Sequence, residues 1–498
     1  MARDQTKTGG RAETSGIIPG DCALSVGKPD KSTPEGWGWV KLTDVARLET
    51  GHTPSRKHSE YWGGGVPWIG IKDATGNHGE TIFKTNQYTN ELGISNSSAR
   101  ILPAQTVCLS RTASVGYVIV MGVPMSTSQD FVNWVCDETK LDYNYLRYVL
   151  LAENASYARF SSGTTHQTIY FPEVKAFHIC MPDLGTQKAI SGVLRALDNK
   201  IALNRQINTI LESMAQALFK SWFVDFDPVI DNALATGNDI PEELQARADR
   251  RRALLNANTA TATATAAVRL SQDIQQLFPD RFVFTEDMGW VPEGWEVKTI
   301  GDVVETTGGG TPSTKNPSFW EGGVHPFCTP KDMSQLTSWV LMDTERHLTD
   351  AGVNKISSGQ LPKGTVLMSS RAPIGYLAIS DVPVSVNQGV IALLPNAAFG
   401  PLYLLNWVQA NLNAVMDRAN GSTFPEISKK NFRPIPFLVP PSTVVQAFNE
   451  QAQVIQQKLL LLAEQNASLT DLRDSLLPKL LSGQLSIPEA EQQLAEVL

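Results

Sequence analysis

Leu102 to Tyr117, LPAQTVCLSRTASVGY, aligns without a gap on Leu361 to Tyr376, LPKGTVLMSSRAPIGY. The pairing extends in both directions. Pro34-Glu35-Gly36-Trp37 returns as Pro292-Glu293-Gly294-Trp295, an offset of 258 residues. Gly51, Thr53, Pro54 and Ser55 match Gly309, Thr311, Pro312 and Ser313; Trp62 and Gly64-Gly65-Val66 match Trp320 and Gly322-Gly323-Val324. Lys72-Asp73 then meets Lys331-Asp332 after a one-residue insertion, Gly163-Thr164-Thr165 pairs with Gly421-Ser422-Thr423, and Met181-Pro182 with Val439-Pro440. Solenoid units run to roughly 20–50 residues. So long a period is instead a duplicated domain with its connector, and suggests a molecule that grips two similar things.

At 498 residues the chain exceeds what one core holds, because single cores stop growing near about 250–300 residues. Apolar content of 42% and charged content of 18% describe an ordinary globular protein. The longest leucine-rich run, Lys458 to Leu462, ends in Ala463-Glu464 and is far short of the roughly 18 residues of a membrane span. The polar N-terminus lacks the apolar core of a signal peptide, so a cytoplasmic protein is expected. Five scattered cysteines, none in a CxxC, suggest neither a disulfide framework nor a zinc site. His178-Ile179-Cys180 has no second ligand pair, so no metal is expected. A net charge of −8 argues against a protein that coats nucleic acid through a global positive field, yet allows a reader with cations on one surface.

The expected organisation is α+β. Residues 1–33, rich in Gly, Ser, Thr and Lys, read as a flexible extension. The first repeated domain spans 34–184, with short apolar runs (66–71, 106–109, 117–121, 131–136) and one helical piece near 142–157. A long helix follows over 185–224. Residues 225–290 read as a linker holding a helical segment with Arg247, Arg250, Arg251 and Arg252 and a Thr/Ala loop over 259–267. The second domain occupies 291–441, a second helix 442–487, and a tail 488–498.

The helices repeat in register as well. Leu194, Leu197, Ile201, Asn204, Asn208, Leu211, Ala215, Leu218 and Trp222 recur at alternating spacings of three and four, matched by Ala452, Ile455, Leu459, Leu462, Asn466, Leu469, Arg473, Leu476 and Leu480. Such a seam is the signature of helices that supercoil around each other, here as an antiparallel pair. Asn208 and Asn466 hold equivalent seam positions, where a polar residue costs stability but can fix register.

Catalytic constellations are weak. Asn316-Pro317-Ser318-Phe319 resembles an amine-holding methyltransferase motif but lacks its second proline, and its repeat partner Lys57 to Tyr61 has lost the pattern. Glu138-Thr139-Lys140 matches the end of a metal-nuclease motif, but the second copy has no equivalent, so a solvated turn is the better reading. Gly308-Gly309-Gly310 lacks the Lys-Ser/Thr of a phosphate loop. What repeats is a donor-rich set on loops. Ser110-Arg111-Thr112 stands against Ser369-Ser370-Arg371, Gln129 and its neighbours against Asn387-Gln388, and Thr164-Thr165-His166 against Ser422-Thr423. These residue types bond base edges and phosphates, and they also tie loops down. Arg111 and Arg371, each just ahead of a Gly-Tyr pair, are the foremost candidates for DNA contact.

This order of motifs resembles the specificity subunit of type I restriction-modification systems. The resemblance covers nearly all of the chain after residue 33. It rests on both Pro-Glu-Gly-Trp openings, on Ser369 to Tyr376 and Val386 to Gly389, on Leu218 to Phe223, and on Leu472 to Gly483. The first copy departs from the pattern at Arg111 to Ser114 and at Gln129-Asp130, and the Thr/Ala run is no family requirement. The resemblance implies a non-catalytic subunit whose two target-recognition domains each read half of a split site on double-stranded DNA. It implies that the helices space the domains and dock two modification subunits, here through Leu197, Ile201, Leu211, Leu218, Trp222, Ile455, Leu459, Leu469, Leu476 and Leu480. S-adenosylmethionine, ATP and Mg would belong to partner subunits, a restriction subunit among them. The alternative is a self-contained DNA methyltransferase or nuclease with recognition domains.

Overall fold

A computed structural model of the chain describes residues 14–163, 167–256, 270–421 and 425–497. Two compact units emerge, one around each repeated domain, and their boundary crosses both long helices, at Ile201/Ala202 and at Ala467/Ser468.

In the first unit a five-stranded sheet runs in the order Ala46–Thr50, Phe131–Cys136, Val107–Ser110, Val118–Met121, Thr81–Ile82. All four residues of Val107–Ser110 and of Val118–Met121 are buried, because both faces of the sheet are covered. That is why these runs read as continuously apolar rather than alternating. A three-stranded sheet places Trp62–Ile69 between Ser126–Thr127 and Gln87–Thr89. The second unit repeats both. Its five strands run Thr306–Gly308, Val390–Leu393, Val366–Ser370, Ile374–Ser380, Val340–Leu341, and its three run His347–Leu348, His325–Cys328, Ser385–Val386.

Two expected boundaries are corrected. The extension before residue 34 is not all loose: Ile18–Pro19 and Leu24–Val26 form a hairpin, and Leu24–Val26 adds to the strand Phe177–Met181. Ala23, Leu24 and Val26 are buried in the first core, and the Glu153 carboxylate accepts the amides of Asp21, Cys22, Ala23 and Leu24. The linker over 225–290 is likewise built into the second unit. Its helix Asp227–Thr236 buries Val229, Ile230 and Ala233. The Arg-rich helix Glu242–Asn256 lies against it through Arg247 to Asp227 and Arg251 to Asp231. The Thr/Ala run at 259–267 lies outside the described residues. Of the tail, Ile487–Ala495 is a helix that buries Ala490 in the first core.

The long helices span Leu184–Phe223 and Ser442–Leu481. They pair antiparallel within each unit: Arg473 bonds Asp198 in the first, and Asn204 donates to Asn466 (3.0 Å) and Gln465 (2.9 Å) in the second. Leu194, Leu197, Ile201, Leu469, Leu476 and Leu480 join the first core; Ala215, Trp222, Ala452 and Leu459 join the second. Among the described residues no helix is long and apolar enough to cross a membrane.

Candidate nucleic-acid interface

In each domain the margin begins where a loop crosses a strand end. A Cβ on Gly51 would sit 1.8 Å from the Ser128 carbonyl oxygen, and one on Gly309 1.6 Å from that of Val386, so only glycine fits the crossing. The crossing carries the next residues past the opposite turn. There the Thr53 hydroxyl donates to Gln129 Oε1 (2.5 Å), and Thr311 donates to Gln388 Oε1 (2.7 Å). Both glutamines are exposed, with their amide nitrogens beyond the threonine contact. The turns are braced alike, since Asp130 N donates to Ser128 Oγ and Gly389 N to Asn387 Oδ1. Two residues further on, the Trp62 indole donates to the Ser55 carbonyl and the Trp320 indole to that of Ser313.

The arginine loops lie beside these turns. Ser110 and Ser369, expected to present donors, are fully buried: each hydroxyl accepts from the amide of the following tyrosine (Tyr117, Tyr376; 2.8 Å) and donates to a loop carbonyl, of Ser114 or Pro373. They hold a loop in which Ala113 (φ 65°) and Ala372 (φ 58°) take the left-handed conformation, uncommon for a residue with a Cβ.

Arg111 and Arg371 are not equivalent. The amides of Arg111 and Ser370 make the matching bonds, to the carbonyls of Asp130 and Gly389, while Thr112 bridges Thr168 as Arg371 bridges Glu426. The arginine has moved by one residue between copies, and one residue along an extended segment reverses the side-chain direction. Ser370 is accordingly buried. Arg111 lays its guanidinium over the Phe171 ring at 4.6 Å and donates to the Gln129 carbonyl (3.2 Å). Burial lowers its pKa, countered by Asp130 and Tyr170. Arg371 stays 37% exposed, 3.7 Å from the Glu426 carboxylate. Thr112 is half-buried, its hydroxyl 2.9 Å from that of Thr168. Thr164, Thr165, His166, Ser422 and Thr423 lie outside the described residues.

The weak catalytic motifs resolve into local caps. The Asn316 side chain accepts from the Ser318 amide and hydroxyl, opening a short 3-10 turn. Asp137 accepts from Thr139 and pairs with Lys140, a turn at the end of a strand.

The docking expectation for the helix seam is also corrected. Leu197, Ile201, Trp222, Leu459, Leu469, Leu476 and Leu480 are buried inside this chain, and Leu211, Leu218 and Ile455 are half-buried against the second core. The apolar residues left open are Leu203, Ile210, Met214, Val454 and Leu461, between 50% and 68% exposed. With the seam at heptad positions a and d, these occupy c and g, the flank that an antiparallel pair brings to one side of both helices. A hollow of about 660 Å³ lined by Met214, Leu218, Val454, Ile455, Pro228 and Leu270 confirms that both helices open to that side. The exposed stripe was legible as leftover heptad positions, had the flank been read after the seam.

Comparison with known proteins then gives a consistent result. The family model for the type I restriction modification DNA specificity domain matches twice, over residues 34–213 and 292–459. The specificity subunit of the type I restriction enzyme MjaIX of Methanocaldococcus jannaschii is 24% identical over 92% of this chain and 95% of that one. The HindI specificity subunit of Haemophilus influenzae is 31% identical over 66% and 73%. A crystal structure of a type I S subunit from M. genitalium, 17% identical, covers 91% of this chain and 98% of that one with a TM-score of 0.48.

Proposed function

Because this chain belongs to the type I restriction-modification DNA specificity family, a recognition rather than a catalytic component, we propose that its two domains each read one half of a split double-stranded DNA target. The observation that carries the reading is the duplicated margin with unlike side chains. Gly51 and Gly309, Thr53 and Thr311, Gln129 and Gln388 keep one frame, whereas Arg111 faces Ser370 and Thr112 faces Arg371 at matched positions. Two equal frames with different donors select two different base sequences.

Within this reading the exposed Gln129, Gln388 and Arg371 reach base edges or phosphates, and Thr112 and Asn387 complete the surface; Thr164, Thr165, His166, Ser422 and Thr423 are assigned the same role from their place in the repeat alone. Ser110, Ser369 and Ser370 serve it from beneath. The paired helices set the gap between half-sites. Two modification subunits dock on the stripe of Leu203, Ile210, Met214, Val454 and Leu461 and bring S-adenosylmethionine; a restriction subunit brings ATP and Mg. The work is done in the cytoplasm.

The test is a domain exchange with mapping of methylated adenines. Because Leu24–Val26 belongs to the first fold, the exchanged segment runs from residue 14 to 184. One half-site is expected to change and the other to persist; a change in both, or in neither, overturns the modular reading.

A further inference from the structure

A guanidinium stacks on the repeated tryptophan in both domains, and it arrives from different places. In the first, Arg56 Cζ lies 4.7 Å from the Trp62 ring and 5.2 Å from that of Trp68, and Arg56 donates to Gln87 Oε1 (2.9 Å). In the second, Arg346 Cζ lies 3.6 Å over Trp320. Trp62 meets Trp68 edge-on at 5.2 Å, and Trp320 meets Phe327 the same way at 5.2 Å, so the platforms correspond. The arginines do not. Trp68 pairs with Gln87 across the small sheet, and the amide of Phe327, the residue matching Trp68, bonds the carbonyl of Arg346. Arg346 therefore occupies the position of Gln87, and the position of Arg56 is held by Thr314. One copy sends the cation in from the loop before the tryptophan, the other from the residue that leads into the strand His347–Leu348, and the Arg56–Gln87 bond marks the spot where the two coincide.

Packing alone does not require this. Both arginines are exposed, and among the described residues neither pairs with a carboxylate, although the chain carries a net charge of −8. A stacked guanidinium gives its face to the ring and keeps its N–H edge for an oxyanion, with its rotamers already restricted. The place is also right: Trp62 and Trp320 hold the carbonyls of Ser55 and Ser313, at the far end of the loops whose Thr53 and Thr311 hold Gln129 and Gln388. Beside Trp62 a shallow hollow of about 580 Å³, lined by Arg56, Gly63, Gly64, Gln87 and Tyr88, leaves the guanidinium edge accessible.

We propose that Arg56 on Trp62 and Arg346 on Trp320 are phosphate clamps, each holding a backbone phosphodiester of the DNA next to the half-site its domain reads. The inference rests on the DNA reading above. It predicts a contact that adds affinity without sequence preference.

The experiment compares the full chain, assembled with its modification subunits, with R56A, R346A and the double variant, binding a duplex that carries the mapped site and one that does not, across a salt series. Each lost clamp is expected to lower the slope of log K against log salt by about 0.9, hence to weaken binding about eightfold at ~0.1 M salt, on both duplexes alike. The methylation motif should not change. R56K and R346K, which keep the charge, should keep the slope. An unchanged slope in the double variant, with an unchanged melting temperature, overturns the clamps and leaves the DNA reading intact, because the parent complex still binds. A relaxed motif in one half-site also overturns them and makes the arginine a base reader. A parent complex that binds neither duplex defeats the DNA reading itself.

Discussion

The first and second halves of the chain share a frame and differ in how they close it. In the first, Asp198 of one long helix is held by Arg147 (2.7 Å), by the Tyr148 hydroxyl (2.6 Å) and by Arg473 of the other long helix (3.1 Å). The positions matched by the repeat are Leu405, Gln456 and Ala215, and there the second half closes with rings: Phe219, Trp222, Phe223, Tyr403 and Phe448 meet at centroid distances of 4.8–6.0 Å. An apolar cluster tolerates small shifts of register. A charged triad does not, because a misplaced carboxylate leaves two arginines short of a partner. The same helical pair is thus closed by charge in one half and by rings beside the Asn204 bridge in the other, just as the same reading loop stacks its arginine on Phe171 in one half and sets it beside Glu426 in the other.

The comparison would break most visibly at the triad. Asp198→Ala strands Arg147, which is 7% exposed, and should cost about 3 kcal/mol of stability, near the lower end for breaking a buried pair. Gln456→Ala should stay within about 0.5 kcal/mol. Equal losses in chemical denaturation would erase the distinction.

The arginines provide the next contrast. Arg371→Ala should weaken binding to the mapped site by about 1–3 kcal/mol at an unchanged melting temperature. Arg111→Ala removes a side chain packed on Phe171 and should lower the melting temperature first. Reversed outcomes would mean that Arg111 is the reader.

Smaller effects sharpen the picture of the seam. Asn208 is buried and its side-chain oxygen has no partner among the described residues, unlike Asn204, which spans the pair. Asn208→Leu should therefore raise stability by about 1 kcal/mol, while Asn204→Leu should loosen the register, seen as faster amide exchange near 204 and 466. Destabilisation by Asn208→Leu would show that its oxygen is satisfied in solution.

The smallest expected effect is a pH response confined to the first half. Burial, and then Arg473, hold the His78 pKa below its ordinary value of 6.5, and its Nδ1 accepts the Val118 amide. The unfolded chain takes up the proton that the folded chain resists, so the contribution is full above about pH 6.5 and fades as pH falls below it. The second half has Thr337 at the matching position. His78→Asn should flatten the melting temperature against pH there, and an unchanged profile would remove His78 from the account.

Periodicity made the frame legible. The offset of the repeat marks out both domains, and the three-four spacing marks both helices, within one residue at each end of the first but overrunning the second, expected to 487 and ending at Leu481, because a seam continued over many turns leaves little choice of face. What escaped notice was short or non-local. Leu24–Val26 is three residues in a polar setting, and its partner strand begins at Phe177, beyond any local window. Asp227–Thr236 hides Val229 and Ile230 among acidic residues that turned out to hold arginines. The gapless alignment already sets Arg111 against Ser370, but the different surroundings of the two arginines come from Phe171 and Glu426, far along the chain from either. The seam leucines read as a docking face because an apolar stripe names a contact without naming its partner.

The glycine crossings have a practical consequence for changing what such a protein binds. At Gly51 and Gly309 even a methyl group would collide with a carbonyl, so these two sites are mechanical pivots that no selection can relax. Randomised libraries that spare both pivots, together with Thr53, Thr311 and the two platform tryptophans, while varying Thr112, Gln129, Arg371 and Gln388, would search specificity without searching for a fold. In effect the molecule separates its hinge pins from its keys, and retargeting becomes a matter of cutting new keys.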